Sequence, residues 1–133
     1  MADDEAGIRL LCRVNLQVAG VEVLEAGDGT AALAIARRER PDLILLDVMM
    51  PELDGIEVAR RLQAEEETRD IPIVFLTARA GADDRRRGYA AGGIAYIVKP
   101  FDPIVLADYI EGLLEAIGRG EREALRKRIV EER

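Results

Sequence analysis

Histidine and tryptophan are absent from this 133-residue chain, and cysteine occurs once. Without histidine, a catalytic triad built on imidazole is excluded. Zinc, haem and iron–sulfur sites lose almost all their usual donors. Cys12 cannot close an internal disulfide, and its apolar setting marks it as a small core residue. No apolar run approaches the ~20 residues of a membrane span, and the start lacks a signal-peptide pattern. A cytoplasmic protein with no membrane partner is expected. Aromatic residues make up only 4 %. Lysine is scarce as well: Lys99 and Lys127 are the two lysines among nineteen basic residues, the rest being arginine. A lysine at a special position therefore hints that a compact ammonium is wanted there.

What is present suffices for one domain with a single core, since 49 % of the residues are apolar. The net charge of −7 is uneven. Residues 119–133 carry six Arg or Lys against four Glu, which leaves −9 on residues 1–118. An acidic body repels nucleic acid, so none is expected as a partner.

Two periodicities alternate along the chain. Strand-like runs are VEVLEA (21–26), LILLD (43–47), IPIVFLT (71–77) and IAYIVK (94–99). Helical patterns lie between them. The first places Ile8, Leu11, Cys12 and Leu16 on one face, the second runs through TAALAIARRER, and the third carries Ile56, Ala59 and Leu62. A polar fourth starts near Asp83 and Asp84, and a fifth repeats Leu106, Ile110, Leu113 and Ile117. Asp102 followed by Pro103 is a helix start. Strands alternating with helices at this spacing predict a parallel sheet covered on both faces. Pro72 falls at a strand entrance, where its missing N–H does least harm.

In such sheets, ligands bind beyond the carboxyl ends of the strands. Asp47 ends one strand, Thr77 the next and Lys99 the last, while Asp3 and Asp4 precede the first helix. Each alone has an ordinary explanation as a turn, a cap or a solvated charge. Together they place three carboxylates, a hydroxyl and an ammonium on one rim. Crowded carboxylates call for a cation, and Mg²⁺ with oxygen ligands fits. An ammonium and a hydroxyl suit phosphoryl oxygens, and a carboxylate can be the nucleophile of phosphoryl transfer. Asp47 follows the most apolar strand and is the best candidate.

The segments PDLILLDVMMPELDGIEVARRL, IPIVFLTA and YIVKPFDP resemble the receiver domain of bacterial two-component response regulators. The resemblance covers residues 3 to about 118. It implies a flavodoxin-like doubly wound α/β fold with strand order 2-1-3-4-5. It implies that Asp47 accepts phosphoryl from the phosphohistidine of a sensor histidine kinase or phosphotransfer protein. Asp4, Asp47 and the backbone carbonyl of Met49 would bind Mg²⁺, with Asp3 helping through water. Thr77 and Lys99 would hold the phosphoryl oxygens. Tyr96 would be a switch aromatic turning inward when Thr77 moves, and the Lys99–Pro100 bond would be cis. Phosphorylation would then bias helix 4, strand 5 and helix 5, which would present a face to a downstream protein.

One departure from the pattern is large. An apolar strand precedes the acidic pair in relatives, whereas only Met1 and Ala2 precede Asp3 here. Burying one Val, Ile or Leu contributes about 1.5–3 kcal/mol, so four or five rival a domain's net stability of roughly 5–15 kcal/mol. Three explanations stand open: a truncated chain start, exchange of elements in a homodimer, or a four-stranded sheet in altered order. A second departure, AAGGIAY, suggests a more apolar surface at Ile94 and Ala95. Residues 1–118 form the expected receiver domain and 119–133 a charged helical tail, with no output domain following. A phosphorylation-independent interaction or dimerisation domain is the rival function. An FMN-binding flavodoxin-like enzyme has neither a phosphate-cradling loop nor a tryptophan in its favour.

Overall fold

The computed structural model describes residues 1–118, and the charged tail from 119 onward lies outside the described residues. In chain order the elements are α1 (Ala6–Val18), α2 (Gly29–Glu39), β1 (Ile44–Leu46), α3 (Gly55–Ala64), β2 (Ile73–Thr77), α4 (Ala82–Ala90), β3 (Gly93–Val98) and α5 (Pro103–Gly118). The strands form a parallel sheet in the order β1-β2-β3, with Leu46 beside Phe75 and Phe75 beside Tyr96. This is the α/β arrangement expected from the alternation of periods.

Side chains leave alternate faces of a strand, and the sheet divides the core accordingly. Ile44, Leu46, Ile73 and Phe75 pack on one side with Leu33, Ile56, Ala59 and Leu62 of α2 and α3. Leu45, Val74 and Leu76 pack on the other with Cys12 and Leu16 of α1 and Leu106, Ile110 and Leu113 of α5. Both faces are covered, which is why the strands are apolar throughout. Three aspartates start helices by accepting backbone N–H bonds: Asp28 from Ala31, Asp54 from Glu57 and Asp102 from Ile104.

The beginning of the chain is a strand reduced to one bridge. Ala2 pairs in parallel with both Ala26 and Leu46. Its N–H donates to Leu45 and its carbonyl accepts from Asp47, at 2.8 and 2.9 Å. On the other side Ala26 donates to Met1, and Asp3 donates to Ala26. Among the described residues this bridge is all that lies beside β1 on that edge, and the altered strand order weighed above is not adopted.

Three other expectations need correction. VEVLEA is not a strand: residues 21–25 form no ladder, and only Ala26 reaches a bridge. A strand needs a neighbour along its edge, and Ala2 supplies one residue of it. Leu11 is 54 % exposed, because α1 turns Cys12 and Leu16 toward the core instead. Ile94 and Ala95 are 1 % and 5 % exposed, so they belong to the core under α1 and α5 and enrich no surface.

Leu46→Ala, in the middle of the buried face, should cost about 2–5 kcal/mol in urea unfolding. Leu11→Ala should change stability by no more than ~0.5 kcal/mol. Equal losses would contradict the packing of α1.

Candidate functional site

β1 ends one residue before Asp47, whose N–H is tied to Ala2 and whose carboxylate turns up at the rim. The Oδ1 atom accepts from the Met49 N–H at 2.9 Å. Met49 thus meets Asp47 through its amide. Gly55, the first residue of α3, packs directly on this turn: its N–H donates to Val48, and an added Cβ would collide with the Asp47 carbonyl. Only glycine permits that approach.

Lys99 follows β3 and reaches across the sheet's end. Its Nζ lies 2.8 Å from Asp3 Oδ2, 3.0 Å from Asp47 Oδ2 and 3.0 Å from Glu5 Oε1. Asp3 and Asp47 are buried, with side chains 1 % and 4 % exposed, whereas Glu5 is open to solvent. Thr77 closes β2 and is fully buried; its Oγ1 accepts from the Arg79 N–H, and its carbonyl accepts from the Lys99 N–H. The register that sets Leu46 beside Phe75 and Thr77 beside Val98 brings the three strand ends to one rim.

Burial pushes the Asp47 carboxyl above the usual carboxylate range, opposed by the Met49 amide and by Lys99 and reinforced by the neighbouring Asp3. Burial also works against the Lys99 ammonium, but hydrogen bonds to Asp3, Asp47 and Glu5 outweigh it and hold its pKa above the ordinary lysine value. The lysine stays charged while the aspartate is costly to ionise.

Asp3, Asp4, Glu5 and Asp47 offer carboxylate oxygens that all lie within 4.8 Å of one another. Asp3 Oδ2 is buried, and Lys99 at 2.8 Å is its polar contact. An oxygen-only donor set with one such atom fits a hard divalent cation. Asp3 and Asp4 reach the cluster because the Ala2 bridge sets their height. Tyr96 lies inward, 7 % exposed, and its hydroxyl donates to the Arg79 carbonyl at 2.7 Å. Its ring packs against Phe75 beneath Gly88, where a side chain would strike it. The Lys99–Pro100 bond is cis, as expected.

The structure therefore brings Asp3, Asp4, Asp47, Thr77 and Lys99 to one rim, with Tyr96 one loop away. Sequence reasoning missed two residues. Glu5 was legible as the third acid of the run DDE, and Gly55 as the glycine after Asp54.

Residues 1–111 match the response regulator receiver domain family. The chain belongs to that family. It is 45 % identical over 124 residues to the phosphate regulon transcriptional regulatory protein PhoB of Pseudomonas aeruginosa, covering 93 % of this chain and 54 % of that protein. It is 39 % identical over 117 residues to the DNA-binding dual master transcriptional regulator RpaA of Synechocystis, covering 88 % and 48 %. The chain spans about half the length of these curated relatives. Among solved structures it superimposes on the chemotaxis protein CheY4 of Vibrio cholerae with a TM-score of 0.77 and 35 % identity, covering 83 % of this chain and 92 % of that one. The receiver domain of a histidine kinase from Syntrophus aciditrophicus gives 0.80 at 30 % identity, covering 89 % of each. Receiver domains serve two-component signalling, and residues 1–118 carry the family's α/β fold.

A carboxyl whose pKa is raised by folding favours the folded state while protonated and opposes it once ionised. Its stabilising contribution is complete below the unfolded value of about 3.9 and is lost as pH rises through the raised value. Asp47→Asn, with chelator present, should therefore raise the melting temperature by a few degrees at pH 7.5 and by less at pH 4. Gly55→Ala should lower it at both.

Proposed function

We propose that this receiver domain is a phosphoacceptor whose nucleophile is Asp47. The contact between Asp47 and Lys99, 3.0 Å apart at the end of the sheet, carries this reading. An Asp47 carboxylate oxygen attacks the phosphorus of a phosphohistidine on a sensor histidine kinase or phosphotransfer protein. The P–O bond forms as the P–N bond breaks, and the imidazole leaves with the electron pair. Lys99 shifts from the attacking oxygen to a phosphoryl oxygen, while it remains anchored by Asp3. The Thr77 hydroxyl, now occupied by the Arg79 N–H, turns to donate to a second phosphoryl oxygen.

Asp4, Asp47 and the Met49 carbonyl would hold Mg²⁺, with Asp3 alongside. When bound, the ion supplies positive charge that offsets the crowded carboxylates and the incoming phosphoryl group. The chain's own contribution is positioning: a nucleophile on a buried strand end, a fixed ammonium and a movable hydroxyl. Chemistry ends with gain and loss of the phosphoryl group, so the domain acts as a signalling element with at most slow self-hydrolysis.

Phosphorylation adds roughly −1.5 to −2 charges. Drawing Thr77 toward that charge disturbs its bond to Arg79, whose carbonyl holds the Tyr96 hydroxyl. Through this link the phosphoryl group would bias α4, β3 and α5 and the face they offer to a downstream protein. Among the described residues no helix is long and apolar enough to cross a membrane. That suits a cytoplasmic module meeting a kinase, and the acidic body suits a protein partner over nucleic acid. The rival, an interaction domain with a disabled site, is disfavoured by how fully the rim is assembled around Asp47.

Beryllofluoride with Mg²⁺ mimics the phosphoryl group. At a hundredfold excess over its Kd it should stabilise the protein by about 2.7 kcal/mol, a rise of several degrees in melting temperature, and should leave Asp47→Ala unshifted. Equal shifts in both proteins would defeat the assignment.

A further inference from the structure

An ammonium has three N–H donors, and three carboxylates lie within ion-pair distance of Lys99 Nζ: Asp3 at 2.8 Å, Asp47 at 3.0 Å and Glu5 at 3.0 Å. The three acids are not equivalent. Asp3 and Asp47 are buried at the end of the sheet, whereas the Glu5 side chain is 57 % exposed. A pair with one partner in solvent contributes little to folding. The effect of Glu5 therefore falls on what Lys99 can do.

The backbone of Glu5 is fixed on both sides. It opens α1 in an extended conformation; its carbonyl accepts from the Arg9 N–H at 3.0 Å, and its own N–H donates to Asp3 Oδ1 at 2.9 Å. A side chain at this position ordinarily accepts from the free amides of the first helical turn. Glu5 makes no such bond. Its carboxylate reaches instead to Lys99, 94 residues along the chain. A cleft of about 410 Å³ adjoins the pair, lined by Ile8 and Leu11 of α1 and by Pro100 and Phe101 after β3. The root of the side chain is held while its tip has room to move.

In the proposed reaction Lys99 exchanges an Asp47 oxygen for a phosphoryl oxygen. Glu5 and the phosphoryl group are then two anions on one ammonium. Two acceptors on a tetrahedral ammonium sit roughly 5 Å apart, well inside the distance over which salt screens like charges. We infer that Glu5 is a positioning residue that competes with the phosphoryl group for Lys99. Its carboxylate engages one N–H of the ammonium and repels the incoming anion. The same charge favours a divalent cation, since Glu5 belongs to the four-acid cluster whose oxygens lie within 4.8 Å of one another. Glu5 thus weakens the hold of the rim on the phosphoryl group while strengthening its hold on metal. The inference rests on Asp47 being the acceptor.

The test is the series Glu5→Gln and Glu5→Lys. Glutamine keeps the length and an accepting oxygen but removes the charge. The control for net charge is Glu66→Gln, an exposed acid between α3 and β2 at the opposite end of the sheet. Mg²⁺ affinity is measured by calorimetry without fluoride, and beryllofluoride affinity is then measured at saturating Mg²⁺. Glu5→Gln should bind beryllofluoride roughly two- to fivefold more tightly and Mg²⁺ more weakly. Glu5→Lys should extend both changes, high salt should shrink them, and Glu66→Gln should show neither. A structural lesion at the start of α1 would weaken both ligands together, so opposite signs mark a charge acting through Lys99. Unchanged or weaker beryllofluoride binding by Glu5→Gln, or an equal gain in Glu66→Gln, would overturn the inference and leave the Asp47 assignment intact. Wild-type protein that binds no beryllofluoride, or Asp47→Ala that binds it equally well, would sink both.

Discussion

Two buried carboxylates share one ammonium. Asp3 and Asp47 come from segments 44 residues apart in sequence, and Lys99 touches both within 3.0 Å. Like charges in a half-dry site repel strongly. Lys99 opposes the rise that burial and Asp3 impose on the Asp47 carboxyl, and its own charge is secured by the same contacts. Removing the cation would leave two uncompensated acids at the centre of the sheet, a cost of several kcal/mol in comparable buried pairs. The arrangement spends stability to keep a buried carboxylate at the end of a rigid sheet.

The fold meets this demand with backbone. A few hydrogen bonds to Ala2 align the acidic run with the end of β1. Gly55 lets α3 press against the Asp47 turn, so the loop is clamped from above and below. The apolar strands supply the rigidity: Leu46, Ile73, Phe75 and Val74 are fully buried, and their register decides which residues reach the rim. Ala2 bridges Ala26 and Leu46 beside β1, and the sheet keeps the order β1-β2-β3.

Much of this was legible before any coordinates. β1, β2 and β3 are continuous apolar runs, and a residue at the end of each such run had to share the rim. The helices showed their buried stripes, and Asp102 its cap. The failures have physical causes. VEVLEA has strand-like residues, but strand structure depends on a partner edge, and Ala2 supplies one residue of it. Leu11 obeys the helical period yet lies on the flank, because period alone does not say which side of a stripe a neighbouring helix covers. Ile94 and Ala95 stand where relatives carry acidic residues, which suggests a surface, yet an apolar pair in the last strand belongs under α1 and α5. Glu5 went unnoticed because an exposed acid in an acidic run carries no periodic signal; only its distance to Lys99 reveals it.

Under the proposed function, the link from chemistry to signalling would run through two contacts, Thr77 to Arg79 and Arg79 to Tyr96. Both lie at strand ends, where a small shift is not absorbed by helix packing. Phe75 and Gly88 hold the Tyr96 ring inward, which in the proposed function would let its hydroxyl report on the threonine. All of this presupposes that the acceptor is Asp47. The decisive measurement is to treat the protein with Mg²⁺ and a small phosphodonor, trap the acyl phosphate by borohydride reduction, and locate the reduced residue by peptide mass mapping. A single modification at Asp47, absent without Mg²⁺, is the predicted result. Modification at Asp3 or Asp4 instead, or none at all on a folded protein, would contradict it.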